Sequence, residues 1–483
     1  MRFMEPNVMN QLLSYKIRCL IPLFLPWIFS EFLSFEPVIS FFFAWLAGIF
    51  LCFYSINGPL KQICTDQDLR LHVMRPMILI QLIFVGLMSG TSIFYFLNHL
   101  GYYFWENQGM QDFVPNEETF LLAACQRLYL FAHASLLLGM MLKLKRGVEI
   151  RYTLVGDPDQ FLIPGLLISI VVMLIFSHVP ALNQIAVILI PVPKIIAAVV
   201  SLKGLREKRP VLILLGALLF LYSLYQATTT GYKEATFVHL IILGFVFYPH
   251  YKTLVIGLAF PVILTLLYIL PSWNNTVRSE EWMVQGVSEE AKTKALEIVL
   301  QDDNDELLRS DSWEFLVNRF SEINMFSKFL TRVPDRHPYY GTEIVGNAIY
   351  ALVPRFLWPE KPNTEMQSME RVYEAEIVSR TSAASAKTRP VVDGYLSAGH
   401  IGIFILMVGY GMSCQALANL AESLFGGYQM GCVIIFNGLF QQLWRGNNLE
   451  FILNNVLYGL IIMLLLFYIL KYSGLIIRYS KSI

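Results

Sequence analysis

About twelve apolar stretches, most of them near the ~20 residues that a helix needs to cross a bilayer, dominate this chain. They lie near residues 17–35, 37–56, 76–97, 119–142, 160–178, 181–201, 210–227, 236–249, 253–271, 397–418, 430–444 and 453–470. The 483 residues are 55% hydrophobic and only 15% charged, which is typical of membrane proteins. The pattern predicts an all-α polytopic membrane protein. We expect the short eighth and eleventh stretches to be tilted, broken or partly re-entrant.

Lys and Arg residues are distributed unevenly among the segments that join these stretches. With the N-terminus inside, eighteen fall in inner segments, and only Lys233 and Arg445 fall in short outer loops. Cytoplasmic segments of membrane proteins are enriched in Lys and Arg, so this asymmetry predicts that both termini are cytoplasmic. The first stretch lacks a small-residue cleavage pattern and is closely followed by the second, so we expect a retained helix, not a signal peptide.

One long polar stretch, residues 272–396, falls outside in this orientation. It holds 20 of the 36 acidic and 14 of the 36 basic residues. The chain therefore divides into about nine helices over 1–271, an extracytoplasmic, mostly helical domain over 272–396, and about three helices over 397–483. Within the polar stretch, Asp311 and Glu314 match a capping box, and apolar spacing predicts an amphipathic helix from about 312 to 330. We expect another helix over 288–300 and a flexible segment over 380–390.

Overall charge and cysteine spacing argue against several classes of function. The formal net charge is zero, so bulk charge implies no nucleic-acid partner. The six cysteines show no paired spacing, which argues against a disulfide framework or a zinc site. The acidic run over 302–305 lies between two predicted helices, and we interpret it as a solvated turn. We therefore expect no metal and no cofactor.

Cationic and aromatic side chains concentrate between Thr331 and Lys361. They are Arg332, Arg336, His337, Tyr339, Tyr340, Arg355, Trp358 and Lys361. Four prolines within this segment and Pro362 directly after it stiffen the backbone, and Gly341 allows a tight turn. Arg can hold phosphate oxygens bidentately, and Tyr and Trp can stack on a sugar or anchor at head-group depth. Fixed cations beside a bilayer favour an anionic head group such as a lipid pyrophosphate. Simple anchoring among lipid phosphates is an equal alternative.

Three further cations lie in or beside the apolar stretches. Arg127 is inside the fourth stretch and Lys194 inside the sixth, while Arg445 stands at the outer mouth of the eleventh. A charge within a membrane helix is costly and usually faces a bundle interior or a cavity. Arg127 could therefore reach an outward-facing cavity and hold pyrophosphate. An internal ion pair or a snorkelling side chain is the alternative.

The run VPRFLWPEKP at 353–362 carries a family resemblance, together with PYYG at 338–341 before it and the Gly-rich helix start at 394–411. It resembles bacterial O-antigen polymerases and related repeat-unit polymerases of the Wzy type. Those proteins often show an Ile/Val-Pro-Arg…Trp-Pro-x-Lys-Pro motif in a large periplasmic loop late in the chain. The match covers about 80 residues, and the hydropathy layout extends it. Many members carry Gly-Ser-Arg-Gly at the outer start of a middle helix, where this chain has Lys233, which has less bidentate capacity.

The resemblance implies a GT-C-like, metal-independent glycosyltransferase in the bacterial inner membrane. It would join undecaprenyl-pyrophosphate-linked oligosaccharides into a surface polysaccharide, with a chain-length regulator and a flippase as further partners. The catalytic residues would be Arg355, Arg127, His337 and Asp335. The residues that bind pyrophosphate and sugar would be Arg332, Arg336, Tyr339, Tyr340, Trp358, Lys361, Lys233 and Arg445. The general base is left open among Asp335, His337, Glu343 and Asp393.

Two other classes of function stay open from the sequence. An O-antigen ligase or a lipid-dependent transferase that adds one sugar would use closely related donor chemistry. A polysaccharide flippase or transporter could have a similar number of helices. The sequence shows no internal repeat and concentrates its polar mass on one side, which argues against alternating access.

Overall fold

The computed structural model describes residues 22–57, 72–104, 106–107, 113–145, 147–179, 183–229, 233–283, 305–354, 357–358, 360–381 and 386–479. Its helices are α1 (22–32), α2 (Pro37–Asn57), α3 (Pro76–Phe84), α4 (Ser92–His99), α5 (Glu117–Lys143), α6 (Leu162–Ser177), α7 (Asn183–Leu189), α8 (Pro191–Glu207), α9 (Pro210–Thr229), α10 (Lys233–Phe247), α11 (Lys252–Met283), α12 (Asp305–Phe315), α13 (Ile323–Leu330), α14 (Glu343–Leu352), α15 (Thr364–Glu374), α16 (Pro390–Leu424), α17 (Asn437–Leu439), α18 (Gln441–Arg445) and α19 (Leu449–Tyr472).

Short elements interrupt or join these helices. A 3₁₀ turn covers Pro158–Phe161, and π-helical segments cover Val85–Ser89, Leu316–Phe320 and Tyr428–Phe436. The strands are β1 (Tyr102–Tyr103), β2 (Glu106–Asn107), β3 (Tyr152–Leu154) and β4 (Ile476–Arg478). β1 pairs antiparallel with β2, and β3 pairs antiparallel with β4, with Thr153 opposite Ile477.

Nine helices in the described part of the chain are long and apolar enough to cross a membrane. They span Pro37–Asn57, Pro76–His99, Glu117–Lys143, Asp159–Ser177, Ile185–Glu207, Pro210–Thr228, Lys252–Trp273, Pro390–Leu424 and Leu449–Tyr472. The predicted eighth and eleventh stretches form the shorter apolar helices Ala235–Phe247 and Tyr428–Leu439, and the first contributes residues 22–32. Large apolar side chains such as Phe260 on α11 are exposed, as expected for contact with lipid. The prediction of a mostly helical, polytopic membrane protein is confirmed at this level.

α5 lies at the centre of the bundle and packs mainly against α16 and α2. Two glycines allow this close approach. A Cβ on Gly139 would fall 2.1 Å from the Val408 carbonyl oxygen, and one on Gly411 would fall 2.3 Å from the Leu136 carbonyl oxygen. Small residues let membrane helices approach at backbone distance, where dispersion contacts are strongest. α5 and α16 therefore form the fixed frame of the bundle.

The predicted amphipathic helix of the polar stretch differs from the observed one. The described helix starts at Asp305, seven residues before the predicted start, so Asp311 lies inside it and is not a cap. It passes through a π-helical segment and then breaks at Ser321 and Glu322 before α13 begins. A local capping pattern cannot reveal this break, because it is fixed by tertiary packing. The helix expected over 288–300 falls outside the described residues.

The polar stretch packs on one end of the bundle, as its predicted apolar face implies. Trp313 is buried, and its Nε1 donates to Asn98 Oδ1 at 2.8 Å at the end of α4. The Phe326 ring of α13 lies 5.4 Å from the Tyr129 ring of α5. These contacts join the polar helices to the end of α4 that the charge pattern predicts to be outside and to the middle of α5.

Two of the apolar helices extend into the stretch 272–396. α11 continues to Met283, and α16 already begins at Pro390. Residues 386–390 are held in place, although the sequence pattern suggested flexibility. The Thr388 hydroxyl donates to the Asp393 carboxylate, and Arg389 pairs with Glu322. Residues 382–385 lie outside the described residues.

Candidate functional site

The PYYG segment at 338–341 caps the first part of α16. The Tyr340 N–H donates to the Leu396 carbonyl at 2.9 Å, and the Gly341 N–H donates to the Ser397 carbonyl at 3.0 Å. Gly341 has a φ of 57°, a left-handed conformation that glycine adopts without steric cost. The last carbonyls of a helix lack partners within it, so these two bonds satisfy a helix end that would otherwise be open.

The helical conformation of α16 breaks at Ala398 and Gly399, directly after the two carbonyls that this segment caps. Their backbone angles are not helical, with φ −164° and ψ 39° at Ala398 and φ 59° and ψ −136° at Gly399. A Cβ on Gly394 would lie only 2.8 Å from the Ile403 Cα, whereas an unbroken helix would separate these positions by about 13 Å. The two parts of α16 therefore fold back on each other. The Tyr339 hydroxyl contacts the break at Gly399.

The polar side chains that follow α13 interact with carboxylates at and just after the end of α15. Arg332 pairs with Glu376, and the Tyr340 hydroxyl donates to Glu374. The His337 ring stacks on Tyr340 with centroids 4.5 Å apart, and its Nε2 lies 3.9 Å from Glu374 Oε2. Burial, and then the hydrogen bond to Glu374, raises the pKa of Tyr340 above its ordinary value. Glu374 and Glu376 therefore offset part of the positive charge of this segment.

Asp335 and Arg336 extend from the same segment and are exposed. Next to them, the Tyr395 hydroxyl donates to the Val333 carbonyl at 2.9 Å, and the Tyr339 and Tyr395 rings meet edge to face at 6.0 Å. The structure thus brings six of the predicted site residues to one surface beside the break in α16. They are Arg332, Asp335, Arg336, His337, Tyr339 and Tyr340.

Arg127 lies in α5 and is held by two hydrogen bonds. Its Nε donates to Glu31 Oε2 at 3.0 Å, and its Nη1 donates to Ser40 Oγ at 3.0 Å. The other oxygen of Glu31 accepts from Trp27 Nε1 at 3.0 Å, and the Trp27 ring lies 6.2 Å from that of His400. The ion pair that the sequence left as an alternative is therefore present. It connects Arg127 through Trp27 to the residue that follows the break.

The VPRFLWPEKP motif contributes differently from expectation at Lys361. This side chain is buried, and its Nζ donates at 2.9 Å to the carbonyls of Ala351 and Val353 at the end of α14. Lys361 thus caps a helix C-terminus, where a cation is favourable. Trp358 is 37% exposed and meets the Tyr350 ring edge to face. Arg355 lies outside the described residues.

A polar pocket of about 150 Å³ opens beside Lys361. It is lined by Ala351, Lys361, Asn363, Thr364, Glu365, Glu450, Phe451 and Asn454. Glu450 is fully buried at its base, while Asn363 and Glu365 are exposed at its rim. The motif thus borders a cavity. Lys361 lines this cavity and also stabilises its wall through the hydrogen bond to Ala351.

Arg445 lies beside Arg389, for which the sequence predicted no role. Arg389, at the start of α16, donates to both oxygens of Glu322 at 2.9 and 2.7 Å and to the Gly446 carbonyl at 2.9 Å. Both arginines line a small internal cavity of about 20 Å³ with Trp444, enough for about one water molecule. This cavity is too small for a pyrophosphate. Lys194 of α8 is buried in the bundle, and its charge is repelled by that of Arg445.

A buried ion-pair cluster joins α15, α16 and α19. Arg371 Nη1 donates to Glu450 at 2.6 Å, and its Nη2 contacts Asp393 at 3.3 Å, with all three side chains at most 3% exposed. Asp393 also accepts from the Leu449 N–H at 2.8 Å. Burial tends to lower the pKa of Arg371, but the two carboxylates outweigh it and the pKa is raised. Asp393, one of the candidate general bases, is thus fully buried in a structural cluster, whereas Glu343 is exposed in the first turn of α14.

Two predicted features lie partly outside the described structure. Lys233 is the first residue of α10, but its side chain is outside the described residues. So is most of the acidic run over 302–305. In the part that is described, no three His, Cys, Asp or Glu side chains come together as a metal site.

Sequence reasoning missed Arg371, Arg389 and Glu450. Arg371 pairs with Glu450, and Arg389 pairs with Glu322. Because the partners are far apart in the chain, no local spacing in the sequence indicates these pairs. The available signal was the excess of carboxylates in the polar stretch, which must be neutralised wherever it is buried. A charged residue at the start of an apolar helix, as at Glu450, was the more specific indication.

Taken together, the described surface offers exposed ionisable groups, aromatic rings and a polar pocket at one end of the bundle. Asp335 and His337 can exchange protons, Arg336 can contact a phosphate, and Tyr339 and Trp358 can contact a sugar. These groups suit a large polar substrate at the edge of a membrane.

Comparison with known proteins gives one match. No curated protein and no solved structure matches the chain. A family model described as a domain of unknown function, DUF8712, matches residues 25–478. This range includes almost every helix described above, the break in α16 and the polar pocket. The chain therefore belongs to the DUF8712 family.

Proposed function

We propose that this chain is a glycosyltransferase that joins undecaprenyl-pyrophosphate-linked oligosaccharide units into a surface polysaccharide at the outer face of a bacterial inner membrane. The observation that carries the proposal is the contact of Pro338–Gly341 with the broken start of α16. The resemblance to O-antigen polymerases rests partly on these two segments, which are more than fifty residues apart in the chain. Their meeting at one surface is expected if they build one site.

The position of this surface also favours a lipid-linked substrate. Directly after the break, Ile401 and Ile405 of α16 are 68% and 65% exposed, as expected for side chains that face lipid. The charged segment 331–342 binds α16 just before the break, through the N–H groups of Tyr340 and Gly341. A donor with a lipid tail and a polar head could therefore approach from the bilayer while its sugars extend into water. In the predicted orientation, with both termini cytoplasmic, this is the outer leaflet.

The proposed reaction forms one glycosidic bond and breaks another. A hydroxyl of one lipid-linked unit attacks the anomeric carbon of the growing chain, and undecaprenyl pyrophosphate leaves with the electrons of the broken carbon–oxygen bond. The hydroxyl proton passes to a base or to water. The charge on the leaving pyrophosphate is the main cost, and fixed arginines can stabilise it without a metal ion. We assign this role to Arg355 and Arg127.

Arg127 can serve the leaving group only if it changes partner. Its present bond to Glu31 has the geometry of a charge-assisted pair at 3.0 Å. A pyrophosphate beside the break would compete with Glu31 for the guanidinium. In this proposal Glu31 holds the arginine in position when no donor is bound.

The remaining roles follow from position. Asp335 and His337 are the candidate bases, because both lie on the exposed surface beside the break, in contrast to the buried Asp393. Tyr339 and Trp358 are the candidate sugar contacts. We propose that Lys361 stabilises the fold of the motif by capping α14, and that it does not bind the pyrophosphate. A chain-length regulator and a flippase are the partners that the family resemblance implies.

Reconstitution tests this function directly. The purified chain in proteoliposomes receives a labelled undecaprenyl-pyrophosphate-linked oligosaccharide, and products are resolved by length. A ladder of products supports polymerisation. A single addition to an added acceptor would indicate a ligase or single-addition transferase, and transfer of the lipid across the bilayer without a change in sugar length would indicate transport. Either of these outcomes, or no product at all, would contradict the proposal.

A further inference from the structure

The pocket beside Lys361 is the strongest unassigned feature of the described structure. Its volume of about 150 Å³ is far above the 10–15 Å³ that a single water requires, and cavities of this size in other proteins admit a six-membered ring. It lies between the end of α14, the start of α15 and the start of α19. This is the same end of the bundle as the surface beside the break in α16.

The lining of the pocket includes a hydrogen-bond acceptor without a partner. The Asn454 Oδ1 is buried and has no hydrogen-bond partner in the structure. The Glu450 carboxylate in the same lining is fully buried, and both of its oxygens accept from Arg371, at 2.6 and 3.2 Å. A buried acceptor without a partner costs free energy, so a donor that enters the pocket is favoured. The ligand should therefore donate hydrogen bonds inward.

Charge argues against an anionic ligand in this pocket. The carboxylates of Glu365 and Glu450, with Asp393 directly behind them, face the cations of Lys361 and Arg371. Lys387, whose Nζ lies 4.2 Å from the centroid of the pocket-lining Phe451 ring, adds a third cation, so the formal charges around the pocket balance. Lys361 is also already bonded to two backbone carbonyls. The pocket therefore has no net positive charge that would attract a pyrophosphate, whereas it can accept neutral hydroxyl groups.

The rest of the lining fits a hydroxylated ring. Phe451 supplies an aromatic wall, with Lys387 Nζ over its ring, and Asn363 and Thr364 add polar groups at the open side. Pockets of this kind, with a few placed polar groups and an aromatic wall, bind small molecules in a fixed orientation. We propose that this pocket is a subsite for one monosaccharide ring, whose hydroxyl groups donate to Asn454. The identification of the ligand as a sugar unit of the acceptor or donor rests on the proposed function.

Direct binding tests the subsite without any turnover. The full chain in nanodiscs is mixed with a panel of free hexoses and N-acetylhexosamines, and saturation-transfer NMR detects contact. We expect at least one sugar to bind, and we expect Asn454→Leu and the rim-blocking Thr364→Trp to reduce its signal at least fivefold. Asn324→Leu, a half-buried asparagine on α13 outside the pocket, serves as the matched control and should leave the signal unchanged. Size-exclusion profiles and thermal unfolding show whether each variant is folded.

Three outcomes would overturn the subsite: no sugar of the panel binds, the pocket variants bind as well as the wild type, or inorganic pyrophosphate displaces the sugar from the wild type. The result is separable from that of the proteoliposome assay. A chain that binds sugar in this pocket but makes no ladder keeps the subsite and loses the polymerase. A chain that makes the ladder but binds no sugar here loses only the subsite.

Discussion

Tyr339 and Gly399 meet at the break in α16: the Tyr339 hydroxyl oxygen lies 2.9 Å from the point that a Cβ on Gly399 would occupy. Gly399 also has a φ of 59° with a ψ of −136°, a region that is open to glycine and nearly closed to other residues. The two residues therefore fix both the bend of the helix and the position of the loop that covers it.

Gly399→Ala should lower stability by about 1–3 kcal/mol, because alanine combines an unfavourable backbone conformation with contact to the Tyr339 hydroxyl. Thermal unfolding in detergent measures the effect. Tyr339→Phe in the same chain removes the nearest contact atom and should recover part of the loss, which a double-mutant cycle detects. Gly346→Ala, where a Cβ meets open space within α14, is the control. Equal behaviour of the two alanine variants would mean that the break does not need glycine.

Arg371→Met should destabilise the protein by about 3–5 kcal/mol, since it leaves the buried carboxylates of Glu450 and Asp393 without their cation. Chemical or thermal unfolding of the two proteins provides the comparison. Arg380→Met removes an exposed arginine paired with Glu370 and should change stability far less, because solvent screens exposed ion pairs. A loss of similar size in both variants would show that the buried cluster is not a main anchor of α15.

Arg127 and Glu31 can be separated by their effects on product and on stability. If Arg127 contacts the leaving group, Arg127→Gln should reduce polymer formation at least a hundredfold, by about 2.7 kcal/mol or more in the barrier. Glu31→Gln should keep most of the activity, because it removes only the resting partner. Unfolding temperatures of both variants show the structural part of each change. Equal losses of activity in the two variants would reduce Arg127 to a structural ion pair.

The raised pKa of Tyr340 predicts that the protein loses folding stability in alkaline solution. Its pKa is raised in the folded protein, first by burial and then by Glu374, so the folded state keeps this proton to a higher pH than the unfolded chain. The contribution is complete below the ordinary tyrosine pKa of about 10 and is lost as pH rises above it. Tyr340→Phe should therefore lose less stability than the wild type between pH 10 and pH 11. An identical pH dependence would mean that Tyr340 is not held as the structure indicates.

The fold was predictable where it depends on local apolar patterns. Each predicted apolar stretch has a matching helix, and even the shortness of Ala235–Phe247 and Tyr428–Leu439 was visible in the sequence. The break in α16 was not, because the bend depends on the backbone conformation of Gly399 and on the contact of Gly394 with Ile403, and hydropathy reports neither. Hydropathy reports the solvent that a helix faces and not the neighbours that bend it.

The candidate site was predictable in composition but not in pairing. The residues between Arg332 and Tyr340 do form one surface, since they are contiguous in the chain. Lys361 was expected to face substrate, yet it is buried against the end of α14. Arg389 fell in a segment expected to be flexible and is fixed by Glu322, sixty-seven residues away. Long-range ion pairs of this kind leave no mark in the spacing of a single sequence.

The surface polysaccharide of cells that lack this chain gives the most direct test of the central claim. Cells without the chain, with the wild-type chain restored and with Arg355→Ala restored are compared by the length distribution of their polysaccharide. The account predicts a ladder of long polymers only with the wild type, and single-unit lipid-linked product in the other two, with the Arg355→Ala protein present at the wild-type level. An unchanged ladder in cells without the chain would contradict the account.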